Sequence, residues 1–268
     1  MDIILLLKAF VLGIVEGTTE FLPISSTGHL IIVGDLLHFN DDKGKLFEIV
    51  IQLAAIFAVC WEYRRKLVDT ARHFTRQSKA QRFVLNLFLA FLPAAILGLA
   101  FHSAIKQYLF SPITVAIALI VGGFAILWVE QLPLKTGTAS IDDMTPLQAL
   151  KVGFAQSLAL FPGVSRAGAT ILGGMVFGLN RKTATEFSFF LAIPIMFAAT
   201  ILDVYKSWEF LSWDDASMFL VGFVTAFLSA LVAIRFLLRY VASHDFNAFA
   251  WYRIVFGVVV LMYFLTLP

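Results

Sequence analysis

Long apolar segments constrain the fold of this chain more than any other feature of its sequence. Six of them, each with at most one charged residue, are residues 47–61, 83–101, 113–129, 187–205, 216–234 and 249–267. With 60% hydrophobic and only 14% charged residues, a water-soluble domain of 268 residues could not bury its apolar surface. Because a helix needs roughly 20 apolar residues to cross a bilayer, we predict an all-α integral membrane protein with six transmembrane helices.

Charge and cysteine content exclude two further classes of protein. The formal net charge of +2 is too small to attract a nucleic acid, so no nucleic-acid partner is expected. The single cysteine, Cys60, excludes an internal disulfide. Asp2 stands where a cleaved signal peptide would carry positive charge, and we therefore expect the first apolar segment to remain in the mature protein.

Two further regions, residues 3–37 and 147–179, are apolar at both ends but interrupted in the middle. Polar, Gly and Pro residues interrupt the first between Glu16 and His29, and the second around Pro162. Each uninterrupted piece is too short to cross a bilayer alone, so each region predicts a re-entrant helical hairpin that enters and leaves on one side. Broken backbone at membrane depth is tolerated only where protein or a water-filled cavity satisfies its polar groups. The two breaks are therefore the candidate functional site.

The two interrupted regions match one another at a constant offset of 140 residues. The matching pairs are Gly13 with Gly153, Phe21 with Phe161, Ser25 with Ser165, Gly28 with Gly168, Gly34 with Gly174 and Phe47 with Phe187. Chance similarity between Gly- and Phe-rich segments is the alternative. We predict a single transmembrane domain over residues 1–268, made of pseudo-repeats at approximately 1–135 and 141–268. One hairpin and three spans per repeat give an odd number of crossings, which predicts an inverted-topology internal repeat with a site at its midplane.

The distribution of charge predicts the orientation of the chain. Seven basic residues lie between positions 64 and 82, which indicates a cytoplasmic segment by the positive-inside rule. Its counterpart, residues 206–217, carries Glu209, Asp214 and Asp215 with a single lysine, as expected on the opposite face. Continued alternation places both termini outside the cytoplasm, with the first hairpin entering from the outer face and the second from the inner face. Their breaks can then meet inside the membrane.

The first break contains two carboxylates at helical spacing. Glu16 and Glu20 lie four residues apart, on one face of a helix and one turn apart. Such a pair is costly inside a membrane unless a cation, a proton or a substrate charge compensates it. Carboxylate oxygens suit Mg²⁺ or Ca²⁺, so we predict a divalent metal site at Glu16 and Glu20. The alternative is a solvated interfacial pair near the end of the helix.

Hydroxyl groups and a histidine follow these carboxylates. Ser25, Ser26 and Thr27 precede His29 at the expected start of a helix, where hydroxyls and free amide N–H groups bind anions. The same run also fits a simple helix N-cap. His29 lies three residues after Ser26 and can share its face, as the base for a serine nucleophile or as the acid for a leaving group. We therefore predict a catalytic pair, with an interfacial histidine as the alternative.

The second break contains Arg166, the only arginine in its hairpin. A guanidinium buried in the bilayer needs an anionic partner. A phosphate fits its planar fork, and Glu16 or Glu20 can hold it when no substrate is bound. A purely structural Arg–Glu pair between the repeats is the alternative. Gly163 and Gly168 permit close approach of the backbone to a bound group.

The other polar residues within the spans are interpreted as interfacial. Arg253 lies a few residues inside the cytoplasmic end of its span and can snorkel to the surface. The same interpretation applies to Glu48, Gln52, Glu186 and Asp203, with Glu48 also a candidate for lining an outer cavity.

The two breaks closely resemble the signature segments of the bacterial undecaprenyl-diphosphate phosphatase family, also known from bacitracin resistance. That family pairs an E-G-x-T-E-F-L-P-x-S-S-T-G-H segment with a later P-G-x-S-R-S-G-A-T segment. The first is present in full from Glu16 to His29. The second runs from Pro162 to Thr170 with one departure, Ala167, where the family usually has Ser. The similarity extends over essentially the whole chain.

This resemblance implies removal of the terminal phosphate from undecaprenyl diphosphate, a polyprenyl diphosphate lipid, at a site open to the periplasmic face of the bacterial cytoplasmic membrane. The monophosphate would return to the carrier cycle of peptidoglycan synthesis. The implied catalytic residues are Glu16, Glu20, Ser26, His29 and Arg166. The implied substrate-binding residues are Ser25, Thr27, Gly163, Ser165 and Thr170. The nucleophile stays open between Ser26 and His29, and Ala167 predicts a modestly altered pyrophosphate site.

Partners and a rival function follow from the same features. The expected partners are the lipid substrate and the membrane lipids, with a homodimer as an open option. A secondary transporter or flippase of a lipid phosphate is the alternative function, because inverted repeats with broken helices at the midplane are typical of transporters. A transporter needs a path that opens alternately to both faces, whereas the enzyme needs an opening on one face only.

Overall fold

The computed structural model describes residues 3–39, 42–109, 111–134, 137–207 and 215–266. Within these ranges the chain forms eleven α-helices and no β-strand, with one isolated bridge between Thr138 and Leu179. The helices are α1 (Ile3–Thr19), α2 (Ser26–Leu36), α3 (Asp42–Glu62), α4 (Arg64–His73), α5 (Ser78–Tyr108), α6 (Pro112–Gln131), α7 (Pro146–Ser157), α8 (Arg166–Val176), α9 (Arg181–Ser207), α10 (Ala216–Tyr240) and α11 (Asn247–Thr266). The predicted all-α class is confirmed.

Six of the described helices have the length and hydropathy to cross a bilayer, which confirms the predicted number. These candidate spans are Gly44–Glu62, Ser78–Phe101, Pro112–Gln131, Arg181–Tyr205, Ala216–Tyr240 and Asn247–Thr266. Most run past the apolar segments seen in the sequence, because helical hydrogen bonding continues into the polar residues that flank them. The chain is a multi-pass membrane protein.

Both interrupted regions fold as two helices separated by a break. α1 ends at Thr19 and α2 begins at Ser26, whereas α7 ends at Ser157 and α8 begins at Arg166 after a 3₁₀ turn at Leu158–Leu160. α2 and α8 each have 11 residues. Their first residues are separated by the offset of 140 found in the sequence.

Close helix packing brings the two breaks towards the centre of the bundle. α1 packs on α10, α7 packs on α5, and α6 pairs with α11. A Cβ added at Gly13 would lie 2.1 Å from Thr225 Oγ1, and one added at Gly153 would lie 2.5 Å from the carbonyl oxygen of Ala90. Glycine is needed at both positions because small residues let the helix backbones approach this closely.

Ion pairs connect charged residues near the ends of several helices. They are Lys66 with Asp142 at 2.6 Å, Arg235 with Glu62 at 2.8 Å, and Arg181 with Glu130. Glu130 lies near the C-terminal end of α6 and Arg181 begins α9, so these two helix ends lie together. Glu62 ends α3 and pairs with Arg235 of α10. The acidic counterpart segment falls partly on residues 208–214, and these, like both chain termini, lie outside the described residues.

Candidate active site

The break after α1 places two buried carboxylates next to a strained turn. The amide of Glu20 donates to the carbonyl of Glu16 at 2.9 Å, so helical geometry continues to Glu20 and keeps the two residues one turn apart, as expected. Ser25 then adopts φ 70° and ψ 100°, and α2 begins at Ser26. A positive φ in a residue other than Gly costs about 1–3 kcal/mol and persists only where the surrounding structure imposes it.

The break before α8 repeats this backbone geometry. Ser165 has φ 72° and ψ 115°, close to the values of Ser25, and it lies 140 residues later. Its side chain caps α8 by accepting a hydrogen bond from the amide of Gly168 at 3.1 Å. Gly163 has φ +93°, and a Cβ there would lie 2.6 Å from the carbonyl oxygen of Val115. This turn therefore requires Gly at position 163 both for its φ and for space.

The two breaks meet through a carboxylate that belongs to the first and a guanidinium that belongs to the second. Ser26 Oγ donates to Glu20 Oε2 at 2.5 Å. Arg166 Nη2 donates to Glu20 Oε1 at 3.4 Å, and Arg166 Nη1 donates to the carbonyl of Ser188 at 3.0 Å. Of the two anionic partners expected for Arg166, the structure therefore selects Glu20. One carboxylate contacts both the hydroxyl and the guanidinium.

A cavity of about 220 Å³ lies at this junction. Its polar lining residues are Glu20, Ser25, Ser26, Thr27, Gln52, Gln156, Ser165 and Arg166, with Gly163 at the turn of the second break. Apolar residues of α9, including Ile195 and Met196, complete the wall. Hydroxyls, a carboxylate and a guanidinium thus converge on one cavity that is otherwise apolar.

Glu16 lies beside this junction without a hydrogen-bond partner. Its side chain is 1% exposed, and neither carboxylate oxygen contacts a donor among the described residues. Gln156, which matches Glu16 at the offset of 140, is 2% exposed and its amide atoms likewise have no partner in the described ranges. Burial of an unpaired carboxylate is costly, so Glu16 fits a site where a cation or a proton completes the charge balance.

The donor set at Glu16 and Glu20 fits a divalent metal held mainly by other ligands. Within the described residues no group of three or more His, Cys, Asp or Glu side chains could hold a metal ion. Mg²⁺ commonly takes one or two carboxylates and completes its shell with water and substrate phosphates. Glu20 lines the cavity and Glu16 lies one helical turn from it, which is compatible with that mode of binding.

The structure does not bring His29 to Ser26. His29 Nδ1 donates to the carbonyl of Ser25 at 2.8 Å, and Nε2 lies 2.7 Å from the hydroxyl of Tyr252. The ring also stacks on Phe256 at a centroid distance of 4.2 Å. The expected Ser26–His29 hydrogen bond is therefore replaced by Ser26–Glu20, because the turn at Ser25 directs the serine towards α1 while His29 faces α11. His29 is not among the residues that line the cavity.

Thr170 also faces away from the cavity. It is 1% exposed, and its hydroxyl contacts Ser188 Oγ at 2.6 Å and the carbonyl of Arg166 at 2.8 Å. The Ser188 carbonyl accepts a hydrogen bond from Arg166. Thr170 therefore contacts the residue that holds the guanidinium from behind. The expected direct contact with substrate is not supported by this position.

Comparison with known proteins identifies the family of the chain. The family model described as Bacitracin resistance protein BacA matches residues 9–259, which include both breaks. The chain belongs to this family. It is 68% identical to an undecaprenyl-diphosphatase of Methylobacillus flagellatus over 98% of this chain and 100% of that protein. It is 64% identical to proteins of the same name from Nitrosospira multiformis and Nitrosomonas europaea, over 98% of this chain and 96% of each.

The BacA-family motif departs from its usual form at Ala167. Ala167 is fully buried within the main hydrophobic cluster and is not among the residues that line the cavity. It lies one residue after Arg166, which does line the cavity. The modestly altered pyrophosphate site expected from the sequence stays a prediction.

Two residues of this BacA-family chain were misinterpreted from sequence: Gln52, which was expected at the interface but lines the cavity, and Arg253. Arg253 does not snorkel to the surface: it is 1% exposed and donates to the carbonyls of residues in both breaks. The available signal was a lone charge inside an apolar span, which by default marks a functional position. Gln52, Gln156 and Ser188 also belong to the cavity or its support.

Proposed function

We propose that this chain hydrolyses undecaprenyl diphosphate to undecaprenyl monophosphate and inorganic phosphate. The observation that carries the proposal is the contact of one carboxylate, Glu20, with the Ser26 hydroxyl of one break and the Arg166 guanidinium of the other. Proteins up to 68% identical over nearly the full chain carry the name undecaprenyl-diphosphatase. The product would return to the lipid carrier cycle of peptidoglycan synthesis.

The geometry supports Ser26 as the nucleophile and Glu20 as its base. Ser26 Oγ already donates to Glu20 Oε2 at 2.5 Å, which is the geometry required for proton transfer to a general base. Ser26 Oγ would attack the terminal phosphorus, its proton would pass to Glu20, and the bond from that phosphorus to the bridging oxygen would break. Water would then hydrolyse the phosphoserine and release inorganic phosphate.

Arg166 and the hydroxyls of the cavity would bind the diphosphate. Phosphoryl transfer depends mainly on positioned cations that neutralise negative charge on the phosphoryl oxygens. Arg166 would exchange its 3.4 Å contact with Glu20 for a phosphate oxygen, which frees Glu20 to accept the serine proton. Ser25, Thr27 and Ser165 line the same cavity. Glu16 and Glu20 would hold Mg²⁺ or Ca²⁺, which when bound would further neutralise the phosphates.

His29 would act by positioning and not by chemistry. Both ring nitrogens have hydrogen-bond partners, and one of these is the carbonyl of the strained residue Ser25. This interaction would hold the turn that directs Ser26 to Glu20. These contacts favour Ser26 over His29 as the nucleophile, and the proposal adopts Ser26.

The membrane arrangement in this proposal is an inverted repeat of two re-entrant hairpins. Three matches at the offset of 140 support it: Ser25 and Ser165 share an unusual φ, His38 and Gly178 both have positive φ, and α2 and α8 have equal length. The reciprocal packing of α1 on α10 and α7 on α5 also supports it. With residues 64–82 cytoplasmic in the bacterial inner membrane, both termini and the mouth of the cavity would face the periplasm.

A phosphate-release assay tests this function. The protein purified in nanodiscs should release phosphate from undecaprenyl diphosphate, and Ser26→Ala and Arg166→Ala should each abolish most of this activity. Ser243→Ala and Arg235→Ala carry the same changes on exposed residues and should remain active. Lipid movement between leaflets of proteoliposomes without phosphate release would support the transporter and overturn the proposal.

A further inference from the structure

Arg253 is a buried cation whose hydrogen-bonding capacity is fully used by backbone carbonyls. It lies on α11 and is 1% exposed. A guanidinium has five N–H donors in a fixed planar fork. They donate from Nε to Leu119 at 3.2 Å, from Nη1 to Pro23 at 3.2 Å and Val164 at 2.9 Å, and from Nη2 to Ala118 at 3.1 Å and Gly163 at 3.0 Å.

These carbonyls belong to three separate elements that meet at the active site. Pro23 lies in the first break, Gly163 and Val164 lie in the second, and the remaining two belong to α6. Carbonyls in a break have no helical partner and need another donor at membrane depth. Pro23 lies two residues before Ser25 and Val164 lies directly before Ser165, so the guanidinium holds both turns with positive φ.

The neighbouring residue on α11 supports the first of these turns as well. Tyr252 contacts His29 Nε2 at 2.7 Å, and His29 Nδ1 donates to the carbonyl of Ser25 at 2.8 Å. Two consecutive residues of α11 therefore hold the break that carries Ser26. Arg253 also connects the same helix to the break that carries Arg166, through the carbonyls of Gly163 and Val164.

The surroundings of Arg253 leave little space for any other placement. A Cβ at Gly122 would lie 2.1 Å from Nη2, and one at Gly168 would lie 3.3 Å from Nη1. Within the described residues, its hydrogen bonds go to carbonyl oxygens and none goes to a carboxylate. A buried guanidinium that is not part of an ion pair is costly inside a membrane. Lysine could not replace it, because one ammonium group could not reach five carbonyls.

We propose that Arg253 is a positioning residue that sets the spacing between the nucleophile of the first break and the phosphate-binding guanidinium of the second. This inference rests on the proposed hydrolysis of a lipid diphosphate. Arg166 and Ser165 stay on their own turn and still bind phosphate when Arg253 is replaced. The alignment of the bound phosphorus with Ser26 is lost. The effect therefore falls on kcat more than on KM.

Two substitutions test this role without removing the catalytic groups. Arg253→Lys keeps the charge but replaces five donors in a fixed planar fork by three donors on a single nitrogen. Gly122→Ala keeps Arg253 and its charge but places a Cβ 2.1 Å from Nη2, which forces the guanidinium away from its carbonyl partners. Arg235→Lys is the control on an exposed ion pair, and Gly137→Ala is the control at a glycine with nothing within 4 Å of an added Cβ.

The measurement is kcat and KM for phosphate release, normalised to monodisperse folded protein. We expect kcat to fall about 100-fold in Arg253→Lys, since displacement of reacting groups by about 1 Å has this effect, and KM to change less than fivefold. Gly122→Ala should show the same pattern, and both controls should match the wild type. A kcat per folded molecule within threefold of wild type in both variants would overturn the inference, even if thermal stability fell. If Arg253→Lys yields no folded protein, Gly122→Ala decides alone. If the wild-type protein releases no phosphate from undecaprenyl diphosphate, the proposed function itself is contradicted.

Discussion

Replacement of Glu20 by Gln tests the proposed role of this carboxylate as the base for Ser26. Gln has nearly the same shape, so the side chain keeps its place between Ser26 and Arg166, and one oxygen can still accept a hydrogen bond. It cannot accept the serine proton. Ser26 Oγ donates to Oε2 at 2.5 Å, so the hydroxyl proton already lies between the nucleophile and the proposed base.

The expected loss follows from the value of a positioned general base. Such groups contribute about 10²–10⁴-fold in rate, equivalent to roughly 2.7–5.4 kcal/mol at about 1.36 kcal/mol per factor of ten. We expect kcat of Glu20→Gln to fall by this factor at saturating substrate. Glu20→Asp should fall by a comparable factor, because retraction by one methylene would break the contact with Ser26.

The assay must separate loss of the base from loss of a metal ligand. Phosphate release should be measured across a titration of Mg²⁺ and Ca²⁺. If Glu20 acted only through a metal, activity of Glu20→Gln would recover at high metal concentration. Glu62→Gln is the matched control, since Glu62 pairs with Arg235 at 2.8 Å outside the cavity. More than a tenth of wild-type kcat in Glu20→Gln would refute the assignment of the base.

Three further predictions address Glu16, His29 and a helix contact. Glu16→Gln removes a buried carboxyl group that has no hydrogen-bond partner in the described residues, so the melting temperature should not fall while activity is lost; full activity of the wild type after thorough chelation would contradict the metal site. His29→Asn can still donate to the Ser25 carbonyl, so its kcat should exceed that of His29→Gln at least tenfold, whereas a chemical role predicts equal loss. Gly153→Ala should destabilise the fold by about 1–3 kcal/mol, because its Cβ would lie 2.5 Å from the Ala90 oxygen, and Gly137→Ala should not; equal melting temperatures would contradict that contact.

The lengths of the apolar segments were sufficient to predict the spans and the breaks. They were not sufficient to predict which side chains hydrogen-bond to one another within the site. The six spans follow from bilayer thickness, and the breaks follow from polar residues between pieces too short to cross. The Ser26–His29 pair was expected from helical spacing, which gives the separation of two side chains but not the direction in which a helix starts. The φ of 70° at Ser25 sets that direction and aims Ser26 at Glu20.

Arg253 illustrates a second limit of sequence patterns. Pairing rules for charges look for an opposite charge, and its distance from the helix end fits a snorkelling side chain. Its actual partners are carbonyl oxygens, which every residue carries and no pattern distinguishes. Only the arrangement of three chain segments around α11 reveals them.

The two breaks share one backbone geometry but carry complementary chemistry. At the offset of 140, Glu16 faces Gln156 in the alignment, Glu20 faces Leu160, and Ser26 faces Arg166. The first turn thus holds the acid and hydroxyl groups, and the second holds the cation. A diphosphate needs both, because a carboxylate pair alone repels it and a guanidinium alone provides no nucleophile. Under this reasoning, catalysis depends on the relative placement of two turns more than on either turn by itself, which is why a cation that contacts no substrate can limit the rate.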